Sequence, residues 1–197
     1  SVYGYDAETD GIAFGFDGIT ESGSTIGLSA SLSETRVDGL GVGKAKNDID
    51  SYTVSLYADK STDSGYIEGS LTYGISENTG SRKNTAAGLS RNYTSAYDSE
   101  QVSLKVSAGS PNEVSDGTFV TPFGSLSASL VSADKYTEVS DTASDDLALS
   151  IAQDDYTSMV GSAGVKVHKV TDMGTPMISL KINQELGDGN INTVNTY

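Results

Sequence analysis

The feature that most constrains this chain is a period of two in its apolar residues. Ile26, Leu28, Ala30 and Leu32 alternate with Gly27, Ser29 and Ser31. Tyr52, Val54, Leu56 and Ala58 alternate with Thr53, Ser55 and Tyr57, and Ile67, Gly69, Leu71 and Tyr73 with Glu68, Ser70 and Thr72. The same rhythm returns at Val102–Leu104–Val106, Leu126–Ala128–Leu130, Ala163–Val165–Val167 and Ile178–Leu180–Ile182, with a shorter copy at Ile12, Phe14 and Phe16. Successive strand residues point to opposite faces, so strict alternation marks strands with one apolar face. No stretch carries a helical period. The nearest, SDDLALSIAQ at 144–153, also alternates through Leu147, Leu149 and Ile151. A hydrophobic content of 36% would by itself suggest disorder, but disordered segments have no such order. The chain reads as all-β, with about eight strands in one domain over 1–197.

The connections alternate in length. Those near 18–24, 60–64, 110–117 and 171–175 are short; those near 34–48, 76–97 and 132–145 are long. An up-and-down antiparallel sheet whose two ends meet different environments produces that pattern. Outer-membrane barrels have short periplasmic turns, longer extracellular loops, and strands of roughly 9–11 residues that are apolar outward and polar inward. A soluble, secreted all-β binding or structural domain alternates too, without requiring unequal loops. The polar face here is Ser, Thr and Gly, with Asp59, Glu68, Lys105, Lys166, His168 and Lys181. An eight-stranded barrel is just wide enough to be filled by side chains. Residues this small imply more strands or a water-filled lumen. Phe14, Phe16, Tyr52, Tyr57, Tyr66, Tyr73, Phe119 and Phe123 sit in or at the ends of strands. They suit interfacial girdles in a barrel and a core in a soluble fold.

Composition narrows the chemistry. There is no Cys, so no disulfide, thiolate nucleophile or Cys-ligated metal, and one His excludes a multi-His metal site. A net charge of −15 repels nucleic acid. GLGVGKAK at 39–46 fails as a phosphate loop, because Asp38 stands where the first Gly belongs and Ala45 follows Lys44. His168 shares a strand face with Ser162 and Lys166, but nothing frames a nucleophile, so no catalytic residue is assigned. Asp134, Glu138, Asp141, Asp145 and Asp146 gather around the sixth connection, with Asp154 and Asp155 beyond it. They are the one candidate calcium set, although their spacing is not that of an EF-hand loop. Without Trp, a glycosidase groove lacks its usual platforms. No cofactor site is expected.

Several segments resemble the β-domain of bacterial autotransporters. These are Gly15 with Asp17, Ile26-Gly27-Leu28, the strand start Asp48 to Tyr52, Tyr66 to Gly69, the TPF segment within VTPFGSLSASLVSADKYTE at 120–138, and NQELGDGN at 183–190, where Gln184 replaces the usual His. The resemblance covers roughly residues 5–190. It implies a twelve-stranded barrel in the Gram-negative outer membrane, an anchor that takes part in export of an N-terminal passenger. The implied partners are outer-membrane lipid, the chain's own passenger and the barrel assembly machinery. Family members end on a strand closing with an aromatic residue, whereas INTVNTY reads as a loop after the eighth strand. The opening SVYGYDAETD has no signal-peptide character. The reading therefore expects more chain before Ser1 and further strands beyond Tyr197.

Overall fold

Strand β3 (Lys46–Thr62) shows how the sequence becomes wall. Its odd-numbered residues from Asn47 to Asp59 are half-buried, while Tyr52, Val54, Leu56 and Ala58 are exposed. The apolar face looks outward and the hydroxyl face inward, the reverse of a water-soluble sheet. The computed structural model describes every residue except 1–3, 42, 86–89, 143–146, 188–192 and 197. The long strands are β1 (Tyr5–Ile19), β2 (Ser24–Gly39), β3, β4 (Gly65–Asn84), β5 (Arg91–Gly109), β7 (Thr118–Ala133), β11 (Tyr156–Lys169) and β12 (Met177–Glu185). They pair in that order, each antiparallel to its neighbour. Tight turns close one end, with Gly23 and Gly117 in the left-handed region that glycine adopts without strain. Among the described residues β1 and β12 pair on one edge only.

The short strands are β6 (Asn112–Ser115), β8 (Tyr136–Thr137), β9 (Val139–Ser140), β10 (Ser150–Gln153) and β13 (Thr193–Thr196). Their registers show that most are wall continued upward. From Ser99↔Ala133 to Thr94↔Val139, β5 advances five residues and its partner six, so β9 prolongs β7 past a one-residue bulge. Val131↔Tyr156 and Tyr136↔Ile151 keep one register, so β8–β10 prolongs the β7–β11 pairing. Between the pairs Val160↔Glu185 and Gln153↔Thr193 the register shifts by one residue, so β13 lies in line with β12.

These registers correct the sequence reading in four places. The second connection is 40–45 rather than 34–48, and the fourth is 85–90 rather than 76–97. Most of INTVNTY is strand rather than loop. Strands of 14–20 residues replace the expected 9–11 in all but β12 among the eight. The reason is physical: alternation with apolar residues marks only the lipid-facing length, and hydrogen bonding continues beyond it on Ser, Thr, Asn and Asp.

Exposure follows the membrane rule. Phe14, Phe16, Ile26, Leu28, Leu32, Val54, Leu56, Leu71, Leu104, Leu126, Leu130 and Leu180 are all exposed. Among the described residues Tyr93 alone is a buried hydrophobic. Above the apolar belt the outward face turns acidic. Asp10, Glu34, Asp50, Glu77 and Asp98 stand directly opposite one another across five strands. At that height Ile49, Tyr97, Tyr136 and Ile151 take the inward side, so amphipathicity inverts where lipid gives way to water.

Candidate functional site

The inner wall is the surface on which this sheet can act. Its middle consists of small hydroxyls in rows. Ser29, Ser55, Thr72, Ser103, Ser129 and Ser158 lie in one register line from β2 to β11. Ser55 and Thr72 bond at 2.8 Å, as do Ser103 and Ser129, and Ser51 and Ser76 two rows away. Ser31 and Thr53 pair likewise. A hydroxyl is donor and acceptor at once, so neighbours satisfy each other without long side chains.

Toward the tight-turn end the wall takes on bulk and charge. The Tyr57 ring lies over Gly27, where a Cβ would stand 2.2 Å from its Cζ, and its hydroxyl donates to Asp17 at 2.9 Å. Tyr66 covers Gly109, and Phe123 covers Gly164, in the same way. These aromatics pack flat along the wall because the facing strand offers no side chain there. The Ser107 hydroxyl donates to Glu68. Of the eight aromatics singled out from sequence, Phe14, Phe16, Tyr52 and Tyr73 are exposed outward, and Phe14, Phe16 and Tyr73 share the register of Val54 and Leu56 near the middle of the apolar belt rather than at its edges. Tyr57, Tyr66, Phe119 and Phe123 face inward.

Toward the long-connection end the inner wall is aromatic. Tyr97 and Tyr136 stack at 4.3 Å with 7° between their planes. Burial pushes the pKa of the Tyr136 hydroxyl above its ordinary value, with Tyr97 and Glu138 adding in the same sense. Arg82 lies over the Tyr93 ring at 4.2 Å and donates to both oxygens of Glu138 at 2.6 Å. Glu138 also accepts from the Leu149 N–H at 2.9 Å. A bidentate pair with low exposure on both partners fixes geometry more firmly than a surface pair.

The described members of the acidic set have separate surroundings. Glu138 is committed to Arg82, and Asp141 accepts from Asn92 at 2.7 Å, which holds its carboxyl below the ordinary range. Asp134 is exposed, and its N–H donates to the Asp98 carbonyl. Asp145 and Asp146 lie outside the described residues. Among the described residues no three His, Asp or Glu converge as a metal set. His168 stacks on Phe119 at 5.0 Å on the inner wall, and Ser162 donates instead to Asn183 at 2.8 Å. Lys44, the only left-handed non-glycine residue described, lies in the β2–β3 connection, and the two ends of the glycine-rich segment, Gly39 and Lys46, belong to β2 and β3. The Arg82–Glu138 clamp escaped sequence reading, because its partners lie 56 residues apart inside two apparent loops.

An antiparallel up-and-down sheet, apolar toward lipid and hydroxylated within, defines the class: a transmembrane β-barrel wall. The chain belongs to the Autotransporter beta-domain family, which matches over residues 1–197. It is therefore the β-domain of an autotransporter, in the outer membrane of a Gram-negative bacterium. Its fold is similar to the translocator domain of autotransporter NalP from Neisseria meningitidis, with TM-score 0.79 and 17% identity over 98% of this chain and 66% of that one. It is similar also to the beta domain of the Bordetella autotransporter BrkA, with TM-score 0.69 and 20% identity over 92% of this chain and 72% of that one. A comparison with curated protein sequences gives no match.

Proposed function

We propose that this wall, as part of a complete barrel, carries the protein's own N-terminal passenger across the outer membrane and then anchors it at the surface. Residues 1–197 act as one unit in that role, in contact with outer-membrane lipid and delivered by the barrel assembly machinery. The observation that carries the reading is the hydroxyl lining. Row after row of Ser and Thr, bonded to one another, leaves the lumen open and gives a passing chain no strong grip. No catalytic role is assigned to the domain.

The test obstructs the lumen in the full-length protein. Ser55→Trp with Thr72→Trp places two large rings on the inner row, whereas Leu56→Trp places one on the lipid face. Surface passenger is read by protease accessibility on intact cells, and barrel folding by its shift on an unheated gel. The expected result is a folded barrel with much less surface passenger for the inner pair, and unchanged passenger for Leu56→Trp. Normal display through the obstructed lumen would overturn the proposal.

A further inference from the structure

The lipid-facing wall is not uniformly ridged. Near its tight-turn end Ala58 and Gly69 are paired in register on β3 and β4. Ile26 flanks Ala58 on β2, and Val106 flanks Gly69 on β5. Leu56, Leu71 and Leu104 close the side toward the belt's centre, and Lys60, Ile67 and Ser24 lie on the side toward the turns. The result is an apolar groove with a shallow floor and one polar end.

The polar end has a definite depth. Asp50 and Lys60 bracket the apolar length of β3 ten residues apart. At about 3.3 Å per residue and a tilt near 40°, that spans about 25 Å, the height of a typical barrel's apolar band. Lys60 thus stands at the hydrocarbon edge, where a lysine stem lies along apolar surface and its ammonium reaches the headgroup layer. The ion pairs seen among the described residues involve Arg36, Lys46 and Arg82, all at the other end. Ser24 lies opposite Lys60 in register and adds a hydroxyl.

We propose that this groove is a binding site for one glycerophospholipid of the periplasmic leaflet. An acyl chain lies over Ala58 and Gly69 between the Ile26 and Val106 ridges, and the phosphate sits against the Lys60 ammonium and the Ser24 hydroxyl. The argument for this occupant is charge complementarity at the right depth. A fatty acid buried at mid-belt would not reach the cation, and lipid A belongs to the opposite leaflet.

The test is native mass spectrometry of the full-length protein, extracted in mild detergent and exchanged against a mixture of phosphatidylethanolamine, phosphatidylglycerol and lipid A. The wild-type protein is expected to retain one phospholipid. Lys60→Ala and Ala58→Leu are expected to lower that retention at least tenfold. Lys169→Ala, which removes an exposed cation on β11 far from the groove, is expected to leave it unchanged. Gel mobility confirms folding of each variant, and Lys60→Ala, at an exposed position, keeps the test valid should Ala58→Leu misfold. Equal loss in Lys169→Ala, no loss in Lys60→Ala, or preferential retention of lipid A would each overturn the proposal.

Discussion

Leu56→Arg and Ser55→Arg place the same cation one residue apart on opposite faces of β3, and their costs should differ widely. Leu56 is 51% exposed on the outward face. The midpoint between Asp50 and Lys60 falls at residue 55, so Leu56 lies about 3 Å from the bilayer centre. Arginine at the midplane of a barrel's lipid face costs about 2–4 kcal/mol. Ser55 faces the lumen and bonds Thr72 at 2.8 Å. Losing that bond costs on the order of 1 kcal/mol, and a guanidinium in an aqueous lumen pays nothing to lipid. The Leu56→Arg penalty corresponds to about 30-fold to several hundred-fold in the folding constant, against about 5-fold for Ser55→Arg. The assay is urea titration of the intact protein folded into phosphatidylcholine vesicles, read by gel mobility because the chain has no Trp. Equal costs, or a larger cost at Ser55, would refute the assignment of faces.

Gly27→Ala should displace the Tyr57 ring and break its bond to Asp17, lowering stability in the same titration by about 1–3 kcal/mol. Gly18→Ala, whose Cβ would meet nothing within 4 Å, should change it by less than about 0.5 kcal/mol. Asp50→Asn with Glu77→Gln interrupts the row of facing carboxylates and should raise stability at low salt, with the gain vanishing near about 1 M salt, where the screening length is about 3 Å. The Asp141 carboxyl is held low chiefly by the Asn92 side chain, then by its backbone. A depressed folded value means that the Asn92–Asp141 contribution is present above the ordinary 3.8 and fades as pH falls through the lower, folded value. Carboxyl carbon shifts of Asp141 against pH should show that low titration, and Asn92→Ala should move it back up.

Much of the wall was legible because lipid and lumen impose opposite demands on neighbouring residues. The run from Tyr52 to Ala58 fixed both the strand and its phase, and the structure keeps that phase through every partner up to Ile182. What escaped lies above the belt. There the outward residue of β4 is Glu77 or Thr79 and the inward one Asn78 or Gly80, so hydropathy no longer alternates although the ladder does. Arg82, Glu138 and Tyr136 were therefore hidden in stretches that read as loops. The inward aromatics were ambiguous for another reason. Tyr57 and Tyr66 lie inside because glycines stand across from them on the neighbouring strands, a pairing visible only once register is known.

The overshoot of β4 and β5 has a mechanical consequence. Beyond Glu77↔Asp98 the ladder runs another seven residues to Asn84↔Arg91, about 23 Å along the strand. A free two-stranded ribbon of that length is marginal in water. This one is stiffened from both flanks, where β3 pairs with β4 as far as Lys46↔Ser81 and Ser140 and Val139 of β9 pair with Tyr93 and Thr94, and from within, where Arg82 is pinned between the Tyr93 ring and Glu138. It stands as a mast rather than a tether. Its last described rung, Asn84↔Arg91, is held at a set height above the lipid surface, so a neighbouring cell or large molecule meets that rung before it meets the membrane. With the lower rungs fixing the register, changes at the tip can accumulate without disturbing the belt below.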